Sequence, residues 1–181
     1  MRPIPALIMM PAALMVPAPA FAADYLTIPR AQQALFPEAD NFVDATLALD
    51  DAQRKAIEKL SGMRQRWKTQ SVWRAEKQGA PVGWFIVDEV VGKHEFITYA
   101  TGLTTDAKVR GIEILIYRET HGYQIRNSDW RGKFVGKTLA DRFKLDEDIP
   151  NISGATLSCR NVTDGVKRLL ALHQVALSNG R

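Results

Sequence analysis

Residues 71–117 hold a succession of apolar runs with strand character, separated by short polar breaks rather than by helices. Ser71–Ala75 carries Val72 and Trp73, and Gln78-Gly79-Ala80-Pro81 reads as a turn. Gly83–Val91 follows with Trp84, Phe85, Ile86, Val87, Val90 and Val91; Glu95–Ala100 comes next, with Phe96, Ile97 and Tyr99. After the polar loop Gly102–Lys108, the run Gly111–Tyr117 is the most emphatic strand of the chain. Parallel neighbours need a long crossover, usually a helix, and the chain shows no such strand–helix–strand rhythm. The sheet is therefore expected to be mostly antiparallel.

Helical patterns bracket this region. Upstream lie a short amphipathic piece around Ala31–Leu35, a turn at Phe36-Pro37-Glu38-Ala39, and a helix capped by Asp50 or Asp51 that runs through Leu60 to Ser61-Gly62. Ile57 and Leu60 are its expected inward residues. Downstream, a segment with Trp130 and Phe134 precedes a short helix near Leu139–Phe143. A last helix spans about Arg160 to Leu177, where Val162, Val166, Leu169, Leu170, His173 and Leu177 form one apolar stripe. This order predicts a single α+β domain, an antiparallel sheet flanked by helices. No Gly-x-Gly-x-x-Gly occurs, which argues against a Rossmann dinucleotide site.

The first 22 residues stand apart. Met1-Arg2, an uncharged run from Ile4 to Val16, and Ala20-Phe21-Ala22 give the layout of a secretory signal peptide cut after Ala22, and predict a periplasmic protein. Without Arg2, 23 basic residues face 20 acidic ones, a net charge of +3 with no basic stripe, so nucleic acid is not an expected partner. Cys159 is the single cysteine, which excludes an internal disulfide and any multi-cysteine cluster. His94, His121 and His173 share no ligand spacing, so no metal site is expected.

The segment richest in chemistry is Ile152-Ser153-Gly154-Ala155-Thr156-Leu157-Ser158-Cys159, a run of small residues feeding the last helix. A helix start offers unpaired N–H groups and the positive dipole end, a favourable setting for phosphate. Gly154 and Ala155 leave space beside the Thr156 hydroxyl. The plainer alternative is that these residues only cap the helix.

Ser153-Gly154-Ala155-Thr156-Leu157 resembles the flavinylation motif of the FMN-binding domain family, which includes the covalent-FMN subunits of Na+-pumping NADH:quinone oxidoreductase and of Rnf complexes. A second similarity is the strand Gly111–Tyr117 followed by Glu119-Thr120-His121-Gly122. A third is Trp130…Phe134-Val135-Gly136-Lys137. The resemblance spans roughly Gly102 to Leu177. It implies FMN held covalently by a phosphoester on Thr156, installed from FAD by a flavin transferase. Ser153, Gly154, Ala155, Leu157, Glu119, Thr120, Gly122 and Lys137 are then the implied cofactor-binding residues. The resemblance further implies an electron carrier between a membrane-bound redox partner and an acceptor, rather than a stand-alone enzyme. The division expected is a signal peptide at 1–22, an N-terminal helical segment at 23–70 that resembles nothing nameable, and an FMN-binding domain at 71–178. One position departs from the family pattern: Pro150 stands where an Asp is usual, with Asp148 and Asn151 nearby. That departure keeps open a periplasmic binding module of the same fold without covalent flavin.

Overall fold

The computed structural model describes residues 23–178, so the expected signal peptide lies outside the described residues. In chain order the elements are β1 (Ala23–Asp24), α1 (Ile28–Leu35), β2 (Asn41–Asp44), β3 (Leu47–Ala48) and α2 (Asp51–Ser61). The long strands β4 (Thr69–Lys77), β5 (Ala80–Val91), β6 (Phe96–Leu103) and β7 (Val109–Tyr117) follow. The chain closes with the short α3 (Ser128–Arg131) and with α4 (Thr156–Leu172), which runs on into a π-helical turn, His173–Leu177. The sheet order is β1–β7–β6–β5–β4–β2, and β3 also pairs with β4. Every pairing is antiparallel.

Alternation along the strands fills both faces. On β5, Trp84 and Ile86 join one cluster and Phe85 the other. The first cluster sets Val72, Ile97, Tyr99, Ile112 and Ile114 against Ile57 of α2 and Val162, Val166 and Leu169 of α4. The second packs Ala75, Ala100 and Leu115 against Ala31, Leu35 and Phe36, at and just past α1. The outcome is a sheet covered by helices on both sides, which explains why the central strands read as nearly continuous apolar runs. α2 is fixed at both ends. Asp50 accepts the Gln53 N–H at 2.7 Å while the Gln53 side chain accepts the Asp50 N–H at 3.0 Å, and Gly62 takes the left-handed position past the last turn.

Five local expectations need correction. Leu60 is 41% exposed; only Ile57 of the pair faces inward. Residues 139–143 form turns instead of a helix: Asp141 takes both the N–H and the hydroxyl of Thr138, and Phe143 has φ 54°, off the helical path. β6 extends through Leu103, shortening the expected loop. α4 begins at Thr156, four residues before Arg160, so the small residues border the helix start directly. Strands β2 and β3 also lie within the segment read as helical; they are four and two residues long, too short to show a period.

Candidate functional site

Three pieces of backbone converge at one end of the sheet: the turn between β5 and β6, the loop leaving β7, and the start of α4. Between them opens a cavity of about 590 Å³. Lys93 and His94 line it from the β5–β6 turn, Glu119, Thr120 and His121 from the β7 loop, and Gly154 to Ser158 from α4. Pockets of roughly 300–1,000 Å³ hold cofactor-sized ligands, so this one is large enough for a mononucleotide.

Thr156 is the first residue of α4 and is half-buried, open to the cavity. Among the described residues no side chain caps α4, because its N-cap position is Ala155. That removes the capping alternative for Ser153 and Thr156. The first-turn amides are left for an outside acceptor, and α4 is long enough, at 17 residues, to present a full dipole. Ser153 and Gly154 are exposed on the approach to Thr156, and Leu157 is 43% exposed at the rim.

The β7 loop is held against the helix start. The Tyr117 hydroxyl donates to the His121 carbonyl and lies 3.4 Å from the Ser158 hydroxyl. Burial raises the Tyr117 phenol above its ordinary value, so it stays a neutral donor. Gly122 packs so closely on Ala155 that a Cβ there would sit 2.4 Å from the Ala155 Cβ. Thr120 and His121 join side chains at 2.9 Å. The Glu119 carboxylate turns to the β5–β6 turn, accepting the N–H groups of His94 at 2.6 Å and Glu95 at 3.0 Å. Burial pushes its pKa upward, but the amides of Glu95, His94 and Lys93 outweigh that and hold it below the ordinary value.

Lys137 is not brought to this cavity. Its ammonium pairs with Asp148 at 2.9 Å, and its carbonyl accepts the Val109 N–H. Asp148 is further engaged by the amides of Phe143 and Lys144, so it braces the 143–148 loop. The Pro150 carbonyl accepts the Trp130 indole N–H at 2.8 Å. Asn151, beside it, keeps a buried side-chain oxygen without a partner. Cys159 is fully buried and its thiol is pushed up by burial, as suits a packing residue. Nothing in the sequence marks Lys93 and His94 as site residues, and nothing in it pairs Tyr117 with Ser158. Lys93 and His94 read as ordinary turn positions, Tyr117 and Ser158 lie 41 residues apart, and only the packing of α4 against the end of the sheet unites them.

Residues 92–171, from the β5–β6 turn through α4, match the family model of the FMN-binding domain. This segment belongs to the FMN-binding domain family. Over 157 residues the chain is 24% identical to a subunit of the Na(+)-translocating ferredoxin:NAD(+) oxidoreductase complex of Acetobacterium woodii, covering 80% of this chain and 72% of that protein. Over 83 residues it is 34% identical to a subunit of the ion-translocating oxidoreductase complex of Shewanella oneidensis, covering 40% of this chain and 39% of that protein. The FMN-binding domain and the elements before it share the fold of the crystal structure of NqrC from Shewanella oneidensis. There the TM-score is 0.54 at 16% identity, covering 81% of this chain and 88% of that one.

Proposed function

We propose that this chain is an exported electron-transfer flavoprotein that carries FMN through a phosphoester bond to the Thr156 hydroxyl. The observation that carries the reading is the Thr156 side chain, half-buried at an uncapped helix start and opening on a cavity of about 590 Å³. The chain's residues fit the group: first-turn amides of α4 for the phosphate, Gly154 and Ala155 as a low cradle, and the β7 loop and β5–β6 turn as walls. Bound there, the flavin supplies one- or two-electron transfer, while the protein contributes position and electrostatics. Thr156 supplies the nucleophilic oxygen: in the hands of a flavin transferase it would bond to the FMN phosphorus of FAD as the pyrophosphate bond breaks and AMP leaves, and its opening on the cavity leaves it reachable.

Support for the redox role comes from the relatives, which are named as subunits of ion-translocating oxidoreductase complexes. A membrane-bound redox partner on one side and an acceptor on the other fit that setting. Export to the periplasm rests on the N-terminal 22 residues. No helix among the described residues is long and apolar enough to cross a membrane.

Co-expression with a flavin transferase, followed by intact mass of the denatured protein, tests the reading. Wild type should gain the mass of one FMN and fluoresce after denaturation; Thr156→Ala should do neither while keeping its fold. Wild type that stays unmodified, or Thr156→Ala that stays labelled, refutes it, the former in favour of a binding module without covalent flavin.

A further inference from the structure

The β5–β6 turn is clamped from two sides. The Glu119 carboxylate, at the end of β7, sits among the turn's amides and accepts from His94 and Glu95. Gly92 provides the room: a Cβ at that residue would lie 2.4 Å from the Glu119 carboxylate oxygen. From α4, the Asn161 side-chain amide donates to the Val91 carbonyl at 2.5 Å. The turn also closes on itself, Gly92 N–H to Glu95 carbonyl at 2.7 Å. A carboxylate seated in consecutive backbone N–H groups is a strong electrostatic anchor for so short a segment.

What the anchor holds is one wall of the cavity that Thr156 also lines. Lys93 and His94 belong to this turn and line the cavity. Among the described residues the Lys93 ammonium has no hydrogen bond or ion pair, whereas the negative charge of Glu119 is taken up by the amides. Among those residues Lys93 is thus the one lysine or arginine lining the cavity, and its charge is not neutralised by a protein partner.

Building on the FMN reading above, we infer that Glu119 is a positioning residue that holds Lys93 against the flavin, and that Lys93 makes the bound flavin easier to reduce. Each electron that reaches the ring without a proton adds one unit of negative charge. An ammonium carried beside it on an anchored backbone favours that charge. The carboxylate acts at a distance, through the backbone it anchors.

Four variants test this: Glu119→Ala, Glu119→Gln, Lys93→Gln and the double variant Glu119→Ala with Lys93→Gln. Amide exchange is measured on protein made without transferase, and midpoint potential on the loaded protein. Glu119→Ala should speed exchange at residues 93–95 by about tenfold or more, with α4 and the central strands unchanged. Glu119→Gln, which keeps an acceptor oxygen, should protect the turn better than Glu119→Ala. Lys93→Gln should move the midpoint potential to a more negative value; Glu119→Ala and Glu119→Gln lose the same carboxylate charge, so Glu119→Ala, which also frees the turn, should have the more negative potential of the two. Combining Glu119→Ala with Lys93→Gln should shift it no further than Lys93→Gln alone. An unmoved potential in loaded Lys93→Gln, or unchanged exchange at the turn in Glu119→Ala, overturns the inference while leaving covalent FMN intact. Wild type that takes up no flavin overturns both readings.

Discussion

Arg168 of α4 and Asp88 of β5 form an ion pair with side chains only 6% and 0% exposed. The guanidinium also donates to Gln65, and the Tyr99 hydroxyl donates to the same Asp88 oxygen at 2.6 Å. Burial, then the neighbouring Asp88 charge, pushes the Tyr99 phenol well above its ordinary value, so it remains a donor. This network ties the last helix to the middle of the sheet, a little over three turns below Thr156, and so helps fix the rotation of α4 that presents Thr156 to the cavity.

Removing one partner leaves a buried charge uncompensated. Arg168→Met is expected to cost about 3–5 kcal/mol of unfolding free energy in urea titrations. Replacing both, Asp88→Leu with Arg168→Met, should be milder than Arg168→Met alone, because no charge is then stranded. A double variant as damaged as the sum of the single ones would contradict this account of the pair.

Gly122 governs how closely the β7 loop meets the start of α4. It has φ 87°, in the left-handed region, and its Cα faces the Ala155 Cβ. Gly122→Ala adds backbone strain of about 1 kcal/mol and forces the loop away from Ala155. Displacing Thr156 relative to the cavity by even about an ångström is expected to slow flavin attachment by about tenfold or more. Gly132→Ala is the control: Gly132 has ordinary helical geometry and open space around its Cα. Timed labelling followed by intact mass should separate the two, and equal labelling rates would show that this contact does not set the geometry of attachment.

Much of this architecture is legible in the chain itself. The apolar runs of β4 to β7 declare themselves because each is long and bounded by turn residues, and the stripe from Val162 to Leu177 repeats at helical spacing. What escapes depends on tertiary context. The start of α4 is hidden because Ser153 to Thr156 are small residues, with no capping residue to mark the boundary. The helical pattern near Leu139 misleads because the Asp141–Thr138 bonds compete locally with helical ones. The loop and helix-start residues can be drawn from motif resemblance, whereas Lys93 and His94 cannot. Their place at the cavity follows from Glu119 reaching across from β7, a contact between residues 24 and 25 positions apart.

His173 offers a pH-dependent handle on the far end of α4. It is 3% exposed, and neither ring nitrogen finds a partner. Burial lowers its pKa below the ordinary 6.5, so the folded protein keeps the ring neutral. Above pH 6.5 the ring is neutral in both states and has no effect on stability. Below it the unfolded chain binds a proton that the folded chain refuses, so stability falls as pH drops from the ordinary value toward the lowered one. His173→Phe removes that proton uptake. Thermal unfolding followed from about pH 7.5 to about pH 5 should therefore show a steeper fall in Tm for wild type than for His173→Phe. The acid loss from Asp148, whose pKa burial raises but the Lys137 ammonium and two amides hold below the ordinary 3.8, falls below this range and leaves both curves untouched. The difference between the two curves, not either slope alone, isolates the imidazole. Parallel curves would mean that His173 gains a proton in the folded state as easily as in the unfolded one.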